Sequence, residues 1–242
     1  MTRTARICSL VVRACIVTGV GAGCGPRPDA ASTPVRRATP PPELHHGIDV
    51  SWHSGEVDWA AVAKAGHTFA VIKASEGVDL KDKAFERHWA AAGEAGLVRG
   101  AYHFYVTEDD PEAQAALFLS MASPRSGDLA PTVDIEVVGQ GSRPGLPQRL
   151  RRWLEIVGER YRIKPIIYTS KHFWDAHLDD SFSDHPLWVA EYGVDAPMLP
   201  VGWDRWHLWQ WQGDATVPGV EKTADLSKVN LEVADLHRVL VP

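Results

Sequence analysis

From residue 47 onward, short apolar runs rich in β-branched and aromatic residues recur at 47–51, 68–74, 100–105, 131–136, 165–169, 187–192, 206–211 and 223–226, each closed by polar residues. Segments 59–65, 84–95, 113–121 and 150–161 instead carry apolar residues at helical spacing. Asp110-Pro111-Glu112 reads as a helix start, with a carboxylate at the N-cap and proline at the first helical position. Gly66 and Gly96 follow two of the helical segments, where glycine commonly ends a helix. Strands alternating with helices predict a parallel α/β sheet. Eight strands imply a closed barrel, although about 180 residues falls short of the roughly 250 typical of a full TIM barrel. The connections after Tyr168 and Tyr192 are short or proline-rich, with room for a turn or two of helix at most. The expectation is one domain, a reduced TIM-like barrel of five β/α units followed by strands with little helix.

The first 43 residues fit none of this. Residues 1–24 form a basic segment (Arg3, Arg6, Arg13) leading to a short apolar stretch that ends in small residues, the layout of an export signal. All three cysteines (Cys8, Cys15, Cys24) lie here, so the later chain has neither disulfide nor thiol chemistry. Gly21-Ala22-Gly23-Cys24 resembles a lipoprotein processing site, with Val20 one place too early for the usual aliphatic position. Two outcomes stay open: Cys24 carries a lipid, or the signal is removed by simple secretory cleavage. Residues 25–43 hold six of the 17 prolines and read as an extended spacer, leaving 44–242 as the folded domain of an exported protein. The leader also carries six arginines against two acids, which leaves 19 bases and 29 acids over 44–242, a net charge of −10. So acidic a domain argues against nucleic-acid binding. A monomer is expected, touching membrane only through a lipid at Cys24.

Active sites of parallel barrels lie at the C-terminal ends of the strands. That filter selects Asp49 in the first strand, Glu76 just past the second, Asp134 and Glu136 ending the fourth, and Asp225 in the last. On a strand, Asp134 and Glu136 project to one side. Crowded, partly desolvated carboxyls resist joint ionisation, so one stays protonated near neutral pH. Glycosidic cleavage uses such a pair, a proton donor for the leaving oxygen and an anion for the positive sugar centre. A hard-cation site would also gather carboxylates, but the eleven histidines are scattered and show no ligand spacing, so neither metal nor cofactor is expected. His103 reads as a hydrogen-bonded core or site residue. Tyr102, Phe104, Tyr168, Trp188, Tyr192, Trp209 and Trp211 lie on predicted strands, where some would stack on sugar rings and others simply fill the core.

In order along the chain stand Gly47-Ile48-Asp49-Val50-Ser51, Val57-Asp58-Trp59, Lys73-Ala74-Ser75-Glu76-Gly77, Gly100-Ala101-Tyr102-His103-Phe104, Asp134-Ile135-Glu136, Pro165-Ile166-Ile167-Tyr168, Leu187-Trp188-Val189-Ala190-Glu191-Tyr192, Trp209-Gln210-Trp211 and Ala224-Asp225-Leu226. Over 47–235 this series resembles glycoside hydrolase family 25, the N-acetylmuramidase lysozymes. The resemblance implies a flattened (β/α)5(β)3 barrel that cleaves the β-1,4 bond between N-acetylmuramic acid and N-acetylglucosamine in peptidoglycan. It implies Glu136 as general acid, Asp134 as its partner, and Asp49 and Asp225 as flanking acids. Glu76, Tyr102, Phe104, Tyr168, Trp188, Tyr192, Trp209 and Gln210 would bind the glycan strand. Ser54, Ser75 and Ser227 depart from the family's usual Gln, Thr and Asn, and none of these removes a carboxylate. Two rivals stay open: a chitinase-like glycosidase with its own D-x-E strand end, and a wall-binding module that has lost turnover.

Overall fold

The computed structural model describes residues 45–139, 144–230 and 236–242. The leader and Cys24 lie outside the described residues, as do 140–143 and 231–235.

The strands are β1 (His46–Val50), β2 (Phe69–Glu76), β3 (Leu80–Lys81), β4 (Val98–Phe104), β5 (Thr132–Asp134), β6 (Ile166–Ser170), β7 (Leu187–Ala190), β8 (Leu208–Ala215) and β9 (Ala224–Val229). Their order is β1-β9-β8-β7-β6-β5-β4-β2-β3, and β1 also pairs with β2, so all but the short β3 close into a barrel. Helices α1 (Trp59–Lys64), α2 (Phe85–Glu94), α3 (Pro111–Met121), α4 (Leu146–Tyr161) and α5 (Lys171–His177) serve the first five β/α units, and β7 to β9 follow without α-helix. The architecture is the expected (β/α)5(β)3 barrel, with one feature that alternation did not disclose. Strand β9 runs antiparallel to both β8 and β1, whereas the other barrel pairs are parallel. Its first residues therefore lie at the end where the other strands finish, which brings Asp225 to the same rim.

The period-2 alternation of strands sorts the side chains. Outward positions (Ile48, Val50, Ala70, Ile72, Val133, Ile135, Ile167, Val189) pack under the helices. Inward positions (Phe69, Val71, Val98, Ile166, Tyr168, Trp188, Leu208, Val229) fill the barrel. Gly47 occupies an inward position where an added Cβ would lie 2.4 Å from the Phe69 ring, so only glycine admits that ring. The C-terminal segment plugs the lower end: Ala130 N–H donates to Val239 O at 2.8 Å, Val241 N–H to Asp128 O at 2.8 Å, and Val239 is fully buried among the inward residues. With an apolar floor, the barrel is open at the upper rim. Asp110 caps α3 as predicted, its Oδ1 accepting from Glu112 N–H and Ala113 N–H at 3.1 and 2.9 Å. No helix among the described residues is long and apolar enough to cross a membrane.

Candidate active site

Along the inward rows, apolar side chains give way to polar ones toward the rim: Phe69, Val71, Lys73 on β2; Thr132, Asp134, Glu136 on and beyond β5; Val229, Ser227, Asp225 read upward on β9. A cavity of about 210 Å³ opens there, lined by the carboxyls of Asp49, Asp134, Glu136 and Asp225, the rings of Tyr102, Phe104, Tyr168 and Trp188, and by Gln210, Lys73, Ser51 and His53. Three strands (β1, β5 and β9) and the extension beyond β5 thus deliver four acids to one small volume. Asp49 and Asp134 are more than nine-tenths buried, while Glu136 is exposed to the groove.

Burial of Asp134 and the nearby Glu136 charge hold its carboxyl well above the usual carboxylate range, with the Lys73 ammonium working against them. Asp49 is raised in the same way by burial and by Asp225. Glu136 is raised by desolvation and then by Asp225, and Asp225 itself by burial. Acids that favour the protonated form stand beside one another, the condition under which a proton donor and an anion coexist near neutral pH. Asp134 Oδ1 is buried without a hydrogen-bond partner among the described residues, and an unpaired buried acceptor is costly in a folded protein.

Gln210 spans the cavity wall. Its Nε2 donates to Asp49 Oδ1 at 2.9 Å and to Asp225 Oδ2 at 3.4 Å, and its Oε1 accepts from the Tyr168 hydroxyl at 2.9 Å and from the Tyr192 hydroxyl. Trp188 stands edge-on to Tyr168 with centroids 4.8 Å apart, and its Nε1–H donates to Ser227 Oγ at 3.1 Å, so the serine at that departure position anchors the aromatic wall. Ser54 also has a structural part: its Oγ accepts from Ser51 N–H at 3.4 Å and completes the capping of the turn Trp52–Ser54 that follows β1.

Three expected glycan ligands do not line this cavity. Trp209 occupies an outward position on β8, buried under the helical layer, with its Nε1–H on Glu191 O at 2.7 Å. Gln210 beside it points inward, as parity requires. Glu76 does not line the cavity; a bulge between Lys73 and Ser75 sets it opposite Phe104, and its carboxylate holds Lys73 Nζ at 2.6 Å. Tyr192 lies past the end of β7, half exposed at the rim, and touches the site through its hydroxyl. His103 is a core residue, Nε2 donating to Gln114 Oε1 at 3.1 Å and Nδ1 accepting from Ser75 Oγ at 2.8 Å; burial lowers it to about 4, so it stays neutral. Sequence reasoning passed over Lys73, Ser51 and His53. For Lys73 a signal was present: a lysine in register with Phe69 and Val71 must stand inside the barrel, where it needs an acid. No group of three or more His, Cys, Asp and Glu side chains among the described residues is arranged to hold a metal ion.

The chain matches the sequence profile of the glycosyl hydrolases family 25 over residues 48–220, most of its length. It belongs to glycosyl hydrolase family 25. Lysozyme M1 of Streptomyces globisporus is 36% identical over 203 residues, covering 78% of this chain and 69% of that protein. The uncharacterized protein YegX of Escherichia coli K12 is also 36% identical, over 197 residues and 79% and 72% of the two chains. Among solved structures, the bacterial lysozyme of Streptomyces coelicolor superimposes with a TM-score of 0.75 at 32% identity, covering 80% of this chain and 95% of that one. As a family 25 member, the protein is a glycosidase of lysozyme type, and the glycan strands of peptidoglycan are the substrate class its relatives support.

Proposed function

We propose that the enzyme is an N-acetylmuramidase that hydrolyses the β-1,4 bond between N-acetylmuramic acid and N-acetylglucosamine, with Glu136 as general acid. The observation that carries this reading is the division of labour among the four carboxyls. Glu136 combines a raised proton affinity with the greatest exposure of the four, as suits a donor to a leaving oxygen; Asp225, also raised, is less exposed. Asp134 is buried beside it with an unpaired oxygen. An acetamido N–H is a donor suited to that oxygen, which would align the acetyl carbonyl for attack on the sugar's anomeric carbon. Substrate assistance of this kind is known in other glycosidases. A direct nucleophilic role for Asp134 is disfavoured by the same burial, since the anion it requires is the form the site penalises.

Mass spectrometry of digested peptidoglycan tests the bond assignment: fragments with reducing-end muramic acid are expected, and reducing-end glucosamine would overturn it. Glu136→Gln should lower turnover by about 10²–10⁴-fold with the thermal melt unchanged, because the amide keeps the shape and lacks the proton. Retention of more than a tenth of the activity would refute the role. An ester trapped on Asp134 in intact-protein spectra would replace assistance by direct attack. For the leader, the reading is an export signal ending at Cys24 with lipid attached. N-terminal sequencing that finds an unmodified residue beyond Cys24 would show secretory cleavage instead.

A further inference from the structure

The side-chain amide of Gln210 has two hydrogens to give and two lone pairs to receive. Both hydrogens face carboxylates, Asp49 Oδ1 at 2.9 Å and Asp225 Oδ2 at 3.4 Å. Both lone pairs face phenol hydroxyls, Tyr168 at 2.9 Å and Tyr192. Gln210 is 2% exposed. A sugar hydroxyl that bonded it would displace a protein partner and leave a buried group unpaired, a loss that cancels the gain.

The consequence reaches the acid. The Tyr168 hydroxyl also faces Glu136, where a donated proton would lower that acid, but the bond it makes at 2.9 Å is to Gln210 Oε1, which competes for the same proton. A phenol has one proton, and while Gln210 Oε1 holds it, the oxygen turned to Glu136 is an acceptor, which suits a carboxylic acid and not a carboxylate. We propose that Gln210 is a positioning residue and not a glycan ligand: its saturated amide ties Asp49 to Asp225 and turns the Tyr168 proton away from Glu136. This rests on the reading of Glu136 as general acid. The charged and titratable groups around Glu136 include Asp225 from β9, Lys73 from β2, Asp134 at the end of β5, Asp49 from β1, Tyr168 from β6 and Tyr192 beyond β7, with His53 also on the cavity wall.

Two substitutions at Gln210 should move the alkaline limb of kcat/KM in opposite directions. Gln210→Met removes the acceptor, frees the Tyr168 proton to donate to the Glu136 carboxylate, and should shift the limb to lower pH. Gln210→Glu keeps an acceptor for both tyrosines but sets another acid against Asp49 and Asp225, and should shift it to higher pH. In both, kcat should fall by about tenfold or more with KM changed less than about threefold, the pattern of a lost transition-state interaction. A rise in KM with kcat and the limb unmoved would mark Gln210 as a sugar ligand and overturn the proposal. Carboxyl carbon NMR titration of Glu136 in wild type and both variants reads the same shifts without turnover. If wild type fails to cut peptidoglycan but the titrations move as stated, the muramidase reading falls and the positioning role stands. Unmoved titrations in folded variants end the proposal whatever the activity.

Discussion

Asp134 is a side chain the fold would be more stable without. Its carboxyl is buried, crowded by Glu136 and left with an unpaired oxygen, so the folded state holds its proton more tightly than the unfolded chain does. The sign follows from linkage: with a raised native value, no penalty exists below the unfolded value, and it grows as pH rises through the native one. Asp134→Asn removes a penalty present at neutral pH and absent in acid. It should raise stability by about 0.5–2 kcal/mol at pH 7, with the gain vanishing below about pH 4, while turnover falls. Urea unfolding at the two pH values measures this, and a gain of equal size at both would rule out the charge as its cause. The candidate acids were legible in the sequence because strand ends of a barrel converge, whichever helices lie between them. The aromatics were less so. Trp209 and Gln210 are neighbours in one motif, and which of them faces inward depends on strand register, which composition does not carry. Trp188, inward, and Trp209, outward, differ only in that parity.

The helices form where the sequence carries strong local signals. Pro111 has no N–H to leave unpaired and Asp110 accepts from the next two, so α3 begins where its chemistry allows. Asp110→Ala should cost about 1 kcal/mol, read as a lower urea midpoint at unchanged slope; no loss would mean that packing alone fixes the start of this helix. Helix α5 was foreseen only as a turn or two, since seven residues are too few for a periodic pattern; its capping by Ser170, whose Oγ accepts from Phe173 N–H at 3.2 Å, is nonetheless a local signal. The direction of β9 was invisible for a different reason. Alternation of inward and outward residues reads the same up or down a strand, and only the lack of a helical crossover between β8 and β9 hints at a hairpin. The bulge in β2 was equally hidden, and with it the parity that sets Glu76 opposite Phe104 and in reach of Lys73.

At the scale of the molecule, closure joins the two ends of the domain. Strand β1 is held on one side by β2 and on the other by β9, with Asp49 opposite Asp225 in register. A chain ending at Lys222 would lack β9 and the apolar plug of 236–242, leaving the seam open along β1 and β8. Such a fragment should lose its cooperative melt and its glycan-cutting activity together, which circular dichroism and a wall-clearing assay would read. A cooperative melt in the fragment would show that the remaining strands close without β9.

That seam also sets an order in time. Asp49 and Gln210, 161 residues apart, meet through a hydrogen bond, and the acid that completes their group arrives on the closing strand. A polypeptide emerging from the ribosome, or one clipped by a protease before β9, carries an incomplete set of acids and an open barrel. With the fragment inactive as expected, the capacity to cut glycan would come into being only when synthesis of the domain is all but finished, and the cell that makes this hydrolase would handle a harmless nascent chain.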